Sequence, residues 1–266
     1  MILRNKNAVI YGAGGSLGGA VAKALAASGA HLFLTGPHIV SVQKLAHEIL
    51  ASGGTAKADT VDALDEKSIN SHLEKIVKQT GTIDISFNAI GVPVVQNIPL
   101  LDITVDDFIG PVTFMTKSQF LTATTAGRIM MKQGSGIILS LTATPGGIGY
   151  PFTGGFAPAC SAIESFSRNL AAELGPYGVR VVNMRSGGSP DSKVFKQAID
   201  NNPEMMKQVL HQMEEDTMLK KLPLMEDIAN LAVFLSSDLA AKITGVTVDV
   251  TCGTTAGLNY RAVRKD

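Results

Sequence analysis

The chain has 266 residues, of which 45% are hydrophobic and 17% are charged, and 23 basic and 23 acidic residues give a formal net charge of zero. This length and hydrophobic content are sufficient for one domain with a substantial core. The balanced charge, without a run of lysine and arginine residues, argues against a nucleic-acid-binding surface.

The two cysteines, Cys160 and Cys252, lie far apart in the sequence and not at the spacing of metal ligands. This pattern favours a reducing compartment over a disulfide framework, and we expect no metal site. No apolar run approaches the roughly 18 to 20 residues that cross a bilayer. We therefore expect a cytoplasmic protein without a membrane partner.

Short apolar runs alternate with amphipathic helical segments along the chain, as in sheets that are buried on both faces. We predict an α/β fold: a Rossmann-type, doubly wound, seven-stranded parallel sheet with helices on both faces, built by residues 1–266 as a single domain. The predicted strands are Ala8–Tyr11, His31–Leu34, Ala56–Ala58, Ile85–Asn88, Ile137–Leu141, Val179–Asn183 and Val246–Val250. Helix ends are predicted at Asp65, at Gly53-Gly54 and at Gly175-Pro176.

A glycine-rich turn, Gly12-Ala-Gly-Gly-Ser-Leu-Gly-Gly19, follows the first predicted strand and opens a helix. In a doubly wound sheet, this is where the pyrophosphate of a dinucleotide meets a helix N-terminus. The alternative is that these glycines serve only a tight turn between strand and helix.

Several motifs resemble those of the short-chain dehydrogenase/reductase family. Phe156–Val182 resembles its Y-x-x-x-K segment, long helix and G-(I/V)-R-V-N stretch, and the glycine-rich turn resembles T-G-x-x-x-G-x-G. Asn88-Ala-Ile-Gly91 resembles N-N-A-G, and Ser186-Gly187 resembles the P-G turn after the sixth strand. These motifs follow the family's order over nearly the whole chain, so the chain is identified as a member of this family.

The resemblance implies a bound nicotinamide dinucleotide. Asp62 takes the place that accepts a hydrogen bond from adenine, and Asn88 the place that ties the fourth strand to the neighbouring loops, although both could simply fix loops. Thr35-Gly36-Pro37-His38 offers neither a carboxylate for a ribose hydroxyl nor an arginine for a 2′-phosphate, which mildly favours NADP(H) over NAD(H). The implied cofactor-binding residues are Gly12, Ser16, Leu17, Gly18, Thr35, His38, Asp62, Asn88, Gly91 and Gly187.

This chain departs most from the family's pattern at the reaction centre. Its asparagine, serine, tyrosine and lysine positions hold Met115, Ala143, Phe156 and Cys160. A positioned general acid contributes about 10²- to 10⁴-fold to a rate, so ordinary dehydrogenase turnover is not expected from these four residues.

Three other side chains are candidates for replacing the lost chemistry. Thr142 lies beside the serine position, Tyr150 lies in the following loop, and Arg185 lies at the end of the sixth strand. Loop packing is the simpler interpretation of Tyr150, and a salt bridge or a place in an interface is the simpler interpretation of Arg185. Cys160 would be a nucleophile if its pKa were lowered, but a small buried hydrophobe is the simpler interpretation.

The resemblance also implies a lid and an interface. Residues 190–224 correspond to the segment that covers the substrate, and their methionines suit an apolar small-molecule ligand or a helix stripe on the core. The helices at about 111–131 and 156–174 correspond to the family's dimer interface. We expect a homo-oligomer, or a hetero-oligomer with an active relative, through these helices.

Three functions are compatible with these residues. The first is a non-catalytic or regulatory subunit that still binds NAD(P)(H). The second is an enzyme that uses the pocket for an atypical reduction, a cyclisation or an isomerisation, and the third is a small-molecule binding module without nucleotide. Retention of Gly12, Gly18, Asp62 and Asn88 argues against the third. We expect the first, a non-catalytic member of an oxidoreductase family.

Overall fold

The computed structural model describes residues 1–91 and 93–256, so the last ten residues of the predicted domain lie outside the described part. The strands are β1 (Asn7–Tyr11), β2 (His31–Gly36), β3 (Thr55–Thr60), β4 (Ile85–Asn88), β5 (Gly136–Ala143), β6 (Val179–Ser186) and β7 (Thr247–Val250). The α-helices of the described ranges are α1 (Ser16–Ala27), α2 (Ile39–Ala51), α3 (Glu66–Thr80), α4 (Val105–Gln133), α5 (Phe156–Leu174), α6 (Lys193–Asn201), α7 (Pro203–Glu215) and α8 (Met225–Ser236).

All seven strands are parallel and lie in the order β3-β2-β1-β4-β5-β6-β7. The chain winds outward from β1 to β3, then crosses to β4 and winds outward in the other direction. Between β1 and β4 the order reverses, and the carboxyl ends of these strands form the crevice where such sheets bind ligands. The predicted Rossmann-type, single-domain α/β fold is confirmed.

Helices cover both faces of the sheet and bury two separate apolar layers. On one face, α1, α2 and α8 contribute side chains such as Leu25, Val42 and Leu235. On the other face, α3, α4 and α5 contribute side chains such as Ile69 and Met130. Because β1 and β2 are buried from both sides over most of their length, their sequences are apolar at successive positions, whereas the edge strand β3 is largely exposed.

The predicted helix ends match the structure closely. The Asp65 side chain accepts a hydrogen bond from the backbone N–H of Lys67 at the start of α3. The second helix ends before the Gly53-Gly54 pair, and α5 ends at Leu174, directly before Gly175-Pro176. Within the described ranges, no helix combines the length and apolar content that a membrane crossing requires.

Strands β2, β3, β5 and β6 run two or three residues further than predicted at their carboxyl ends, towards the candidate site. The sequence places the ends of β5 and β6 at Leu141 and Asn183, but the ladder continues through Thr142 and Arg185 to the pair Ala143 and Ser186. Apart from the buried Met184, the added residues are polar or small, so the loss of apolar character misplaced the strand ends. Their side chains occupy the carboxyl edge of the sheet.

Candidate functional site

The glycine-rich turn joins β1 to α1 with very little space. Gly12 has a φ of 74°, and a Cβ there would lie 2.9 Å from the carbonyl oxygen of Ala89. A Cβ on Gly18 would overlap the Gly12 carbonyl oxygen. Gly15, the N-cap of α1, supplies no side-chain hydrogen bond, so the first N–H groups of the helix remain available to an anionic group.

Ser16 links this turn to the segment that follows β6. Its hydroxyl accepts a hydrogen bond of 3.0 Å from the backbone N–H of Lys193, the first residue of α6. Ser16 therefore connects the glycine-rich turn to residues 190–224. Leu17, the next residue, is half-buried on α1.

An open cavity of about 530 Å³ lies beside the turn, and we call it the glycine-turn cavity. Its walls come from the carboxyl ends of β1, β2 and β4 and from the loop after β3. Five predicted cofactor-binding residues line it together: Gly12, Thr35, His38, Asp62 and Gly91. Other wall residues are Tyr11, Val61, Ile90 and Phe114.

Three of the predicted residues make hydrogen bonds that shape this cavity. Asp62 accepts one from the backbone N–H of Leu64 at 2.9 Å, which holds the loop after β3. The Thr35 hydroxyl donates to a β1 carbonyl oxygen at 3.1 Å. Asn88 donates to the Thr122 hydroxyl at 3.0 Å and accepts from a backbone N–H two residues later. Asn88 therefore ties β4 to α4 through its amide nitrogen and to the loop after β4 through its amide oxygen.

The four residues that the resemblance aligned with the reaction centre, Met115, Ala143, Phe156 and Cys160, lie together at the carboxyl edge of the sheet, and we call them the apolar site cluster. Met115 and Cys160 are buried, and Ala143 and Phe156 pack against them while half-buried. The resulting surface is hydrophobic, without a hydroxyl, amide or ammonium group from any of the four.

Cys160 does not have the properties of an activated nucleophile. Burial raises the pKa of its thiol to about 11. A hydrogen bond with the backbone of Ala143 lowers this pKa, and the negative charge of Glu164 raises it. The side chain is completely buried. The structure therefore favours the small buried hydrophobe over the nucleophile.

A polar cluster of Thr142, Glu164, Arg185 and Asp249 lies directly behind these residues. We call it the buried polar cluster after its first three members, since the Asp249 side chain is 33% exposed. Arg185 binds both oxygens of the Glu164 carboxylate, at 3.0 Å from Nε and 2.5 Å from Nη2, and its Nη1 lies 2.6 Å from Asp249. The Thr142 hydroxyl donates to Glu164 at 2.9 Å. Arg185 and Thr142 are thus engaged within the protein, and the salt-bridge interpretation of Arg185 is correct.

Glu164 and Asp249 were not found by reasoning from the sequence. Glu164 follows Cys160 by four residues, which places both on the same face of α5. A charge on an otherwise buried helix face requires a partner, and this was the available signal. The partner, Arg185, lies 21 residues further along the chain, on β6.

A second cavity, of about 200 Å³, lies at the ends of β5 and β6, and we call it the Tyr150 cavity. Among the three candidate substitutes, Tyr150 lines it, whereas Thr142 and Arg185 belong to the buried polar cluster. The wall residues include Ala143, Thr144, Tyr150, Thr153, Ser186, Gly187, Met213, Asp216 and Thr254. The hydroxyls of its three threonines donate to backbone carbonyl groups. Tyr150 is 41% exposed, so its phenol faces solvent and the cavity.

Residues 190–224 form α6, α7 and the turns around them. Met213 and Asp216 line the Tyr150 cavity, and the Met213 methyl group lies close to Gly188. Met206 is buried, whereas Met205 is 51% exposed. The methionines therefore divide between the cavity, the core and the surface. Within the described ranges, no group of three His, Cys, Asp or Glu side chains is arranged to hold a metal ion.

A doubly wound parallel sheet with a glycine-rich turn at its switch point defines a nucleotide-binding α/β protein. Residues 12–255 match the family model described as Enoyl-(Acyl carrier protein) reductase, which is far more than half of the chain. The chain belongs to the short-chain dehydrogenase/reductase family.

Known relatives resemble the chain over almost its full length. The 2,3-dihydro-2,3-dihydroxybenzoate dehydrogenase of Bacillus subtilis (strain 168) is 28% identical over 96% of this chain and 98% of its own. Levodione reductase of Leifsonia aquatica is 29% identical over 93% of each chain. A crystal structure of levodione reductase superimposes with a TM-score of 0.88 at 25% identity, covering 96% of this chain and 100% of the other. The structure of NAD⁺-bound xylitol dehydrogenase has a TM-score of 0.87 at 23% identity, covering 94% and 99%.

These relatives overturn the functional expectation from the sequence. The family model and the similar proteins carry the names of reductases and dehydrogenases. The expectation of a non-catalytic or regulatory subunit is therefore wrong, because these findings indicate a catalytic oxidoreductase of the family. That expectation relied more on the residues at four aligned positions than on the resemblance over nearly the whole chain.

Proposed function

We propose that the protein is a nicotinamide-dependent oxidoreductase that transfers hydride between NAD(P)(H) and a small organic substrate. The observation that carries this proposal is the placement of the two cavities. The glycine-turn cavity and the Tyr150 cavity open at the carboxyl edge of one sheet, on either side of the apolar site cluster. A dinucleotide in the first cavity reaches a substrate in the second.

The residues around the glycine-turn cavity fit a dinucleotide. The uncapped N-terminus of α1 offers N–H groups to a pyrophosphate, and the absence of a Cβ at Gly12 and Gly18 allows the close turn behind it. Asp62 lies in the cavity wall, where its carboxylate would accept a hydrogen bond from the adenine amino group. When bound, the nicotinamide group supplies or accepts the hydride.

We propose NADP(H) in preference to NAD(H). The wall formed by Thr35-Gly36-Pro37-His38 at the end of β2 carries no carboxylate, which is the usual partner of an unmodified ribose. His38 and Ser41 line this part of the cavity and are polar side chains that would be available to hold a 2′-phosphate.

The apolar site cluster occupies the positions of the family's asparagine, serine, tyrosine and lysine, so we propose that the proton is handled elsewhere. Tyr150 is the candidate that faces the cavity, and its phenol has the donor that Phe156 lacks. Ser186, across the cavity, accepts from the backbone N–H of Gly188 and can orient a carbonyl oxygen with its own proton. Tyr150 then gives the proton to the oxygen that develops charge.

Cofactor binding is the first test of this function. Titration of the protein with NADPH and NADH should raise its melting temperature and shift nicotinamide fluorescence, because binding to the native state adds RT ln(1 + [L]/Kd) to stability. Tighter binding of NADPH than of NADH is the expected result. Failure to bind either cofactor at millimolar concentration would reject the proposed function.

Turnover tests the role of Tyr150. After a screen of ketones with NADPH and of alcohols with NADP⁺, Tyr150→Phe should lower kcat/KM by about 10²- to 10⁴-fold on the reactive substrate while the cofactor Kd stays unchanged. Tyr177→Phe, a matched change at a half-exposed tyrosine after α5, should leave both values unchanged. An unchanged rate in Tyr150→Phe would remove Tyr150 from the reaction.

A further inference from the structure

Tyr11 occupies the centre of the candidate site without a role assigned to it. It is the last residue of β1, directly before the glycine-rich turn, and pairs in register with Thr35 on β2 and Asn88 on β4. Its side chain is 1% exposed. It is one of the largest fully buried side chains of the described ranges, at the point where the strand order reverses.

The hydroxyl of Tyr11 has no hydrogen-bond partner among the described residues. Burial raises the pKa of this phenol well above its usual value, so the group stays protonated and remains a donor at neutral pH. Buried polar groups are nearly always paired in folded proteins. A lone donor at this position therefore calls for an explanation.

Packing does not explain the oxygen atom. The ring belongs to the apolar layer under α3 and α4, with Val9, Phe33, Val61 and Leu73. A phenylalanine would fill the same volume without leaving an unpaired donor, and at Phe33 and Phe87 the neighbouring strands do carry phenylalanine. The hydroxyl is therefore an addition to an otherwise apolar wall.

Tyr11 also lines the glycine-turn cavity, next to Gly12, Asp62 and Ile90. The helix N-terminus that suits a pyrophosphate begins at Ser16, beyond the turn, whereas Tyr11 and Asp62 belong to the wall formed by β1 and the loop after β3. The adenosine part of a dinucleotide has ring nitrogens and ribose oxygens that accept hydrogen bonds. The Tyr11 hydroxyl has almost no accessible surface, so it can reach a ligand only when the side chains around it give way. We propose that Tyr11 is a nucleotide-binding residue whose hydroxyl, after that adjustment, donates a hydrogen bond to the adenosine part of the bound cofactor.

This inference rests on the proposed function, because it requires that a dinucleotide occupies the glycine-turn cavity. Tyr11→Phe removes one oxygen atom and keeps the ring. Its affinity for NADPH and for ADP-ribose, measured by calorimetry, should fall by about 5- to 15-fold, which corresponds to the loss of one ordinary hydrogen bond. Affinity for reduced nicotinamide mononucleotide, which lacks adenosine, should not change.

The ligand-free protein provides the second measurement. Because Tyr11→Phe removes an unpaired buried donor, the melting temperature of the free variant should equal or exceed that of the wild type. A purely structural hydroxyl would give the opposite sign, with lower stability and an equal loss of affinity for every probe. Tyr177→Phe serves as the matched control and should change none of these values.

The outcomes separate the inference from the function on which it rests. If the wild type binds NADPH and Tyr11→Phe binds it equally well, the inference is overturned and the proposed function stands. If the free variant melts several degrees lower and loses affinity for all three probes alike, the inference is also overturned. If the wild type binds no dinucleotide, the proposed function itself fails. Selective loss of NADPH and ADP-ribose affinity with undiminished stability supports the role of Tyr11.

Discussion

Among individual residues, His72 on α3 should link stability to pH. It is 5% exposed, and its Nε2 lies 3.4 Å from the carboxylate of Asp59 on β3. Burial lowers the pKa of His72, and this outweighs the raising effect of Asp59, while Lys75 lowers it further. The unfolded chain therefore takes up a proton near its ordinary pKa of about 6.5 before the folded protein does.

We expect the free energy of unfolding to fall as the pH drops below about 6.5, because the unfolded state then binds more protons than the folded state. His72→Gln should flatten this decline between the ordinary and the lowered pKa. Urea denaturation at several pH values measures it. His47→Gln, at an exposed position on α2, should retain the wild-type slope. A slope that is the same in His72→Gln and the wild type would contradict the assignment.

At the scale of elements, α5 is held to β6 and β7 by the buried polar cluster. The side chains of Arg185 and Glu164 are 12% and 5% exposed, so both charges are largely removed from water. Removing one partner of a buried pair leaves the other charge uncompensated, which usually costs more than the pair itself contributes. The two residues should therefore be strongly coupled.

A double-mutant cycle tests this coupling. Arg185→Met alone should lower the free energy of unfolding by about 3 to 5 kcal/mol, because Glu164 is left buried without its partner. Arg185→Met combined with Glu164→Leu should recover a large part of that loss. Arg128→Met, which removes a half-exposed partner of Glu66, should change stability by less than about 1 kcal/mol. Additive losses in the double variant would show that the two residues act separately.

The elements were predictable from the sequence because their signals are local. Asp65 and the Gly53-Gly54 pair mark helix ends through hydrogen bonds and backbone angles within a few residues. The position of the glycine-turn cavity was predictable from the glycine-rich turn. The pairing of Glu164 with Arg185 was not, because it joins α5 to β6 through tertiary packing. Tyr11 was missed for a related reason: in the sequence it is one more apolar residue of a buried strand.

For the whole molecule, the outer faces of α4 and α5 are the expected surface for self-association. Phe120 on α4 is 50% exposed and packs against Phe166 on α5, with ring centroids 5.9 Å apart and an angle of 54°. We propose that this face joins two copies of the chain, as the resemblance implied. Pairing with an active relative stays a prediction.

Replacement of this surface phenyl group tests the association. Phe120→Ser should shift the protein to a smaller assembly in sedimentation velocity experiments, because it removes an aromatic anchor from the interface. Phe234→Ser removes a 39% exposed phenyl group from α8, on the other face of the sheet, and should leave the assembly unchanged. Equal behaviour of the two variants would exclude the α4–α5 face.

The packing of Gly146 and Gly147 against the buried polar cluster leaves little room for a larger side chain at position 160. A Cβ at Gly147 would lie 2.6 Å from the Arg185 guanidinium carbon, and one at Gly146 would lie 3.0 Å from the Cβ of Cys160. Cys160→Lys would bring a long cation into this filled space beside another cation. A lysine at this position would therefore be penalised by its neighbours, and accommodating it requires coordinated change at Arg185, Glu164 and the turn.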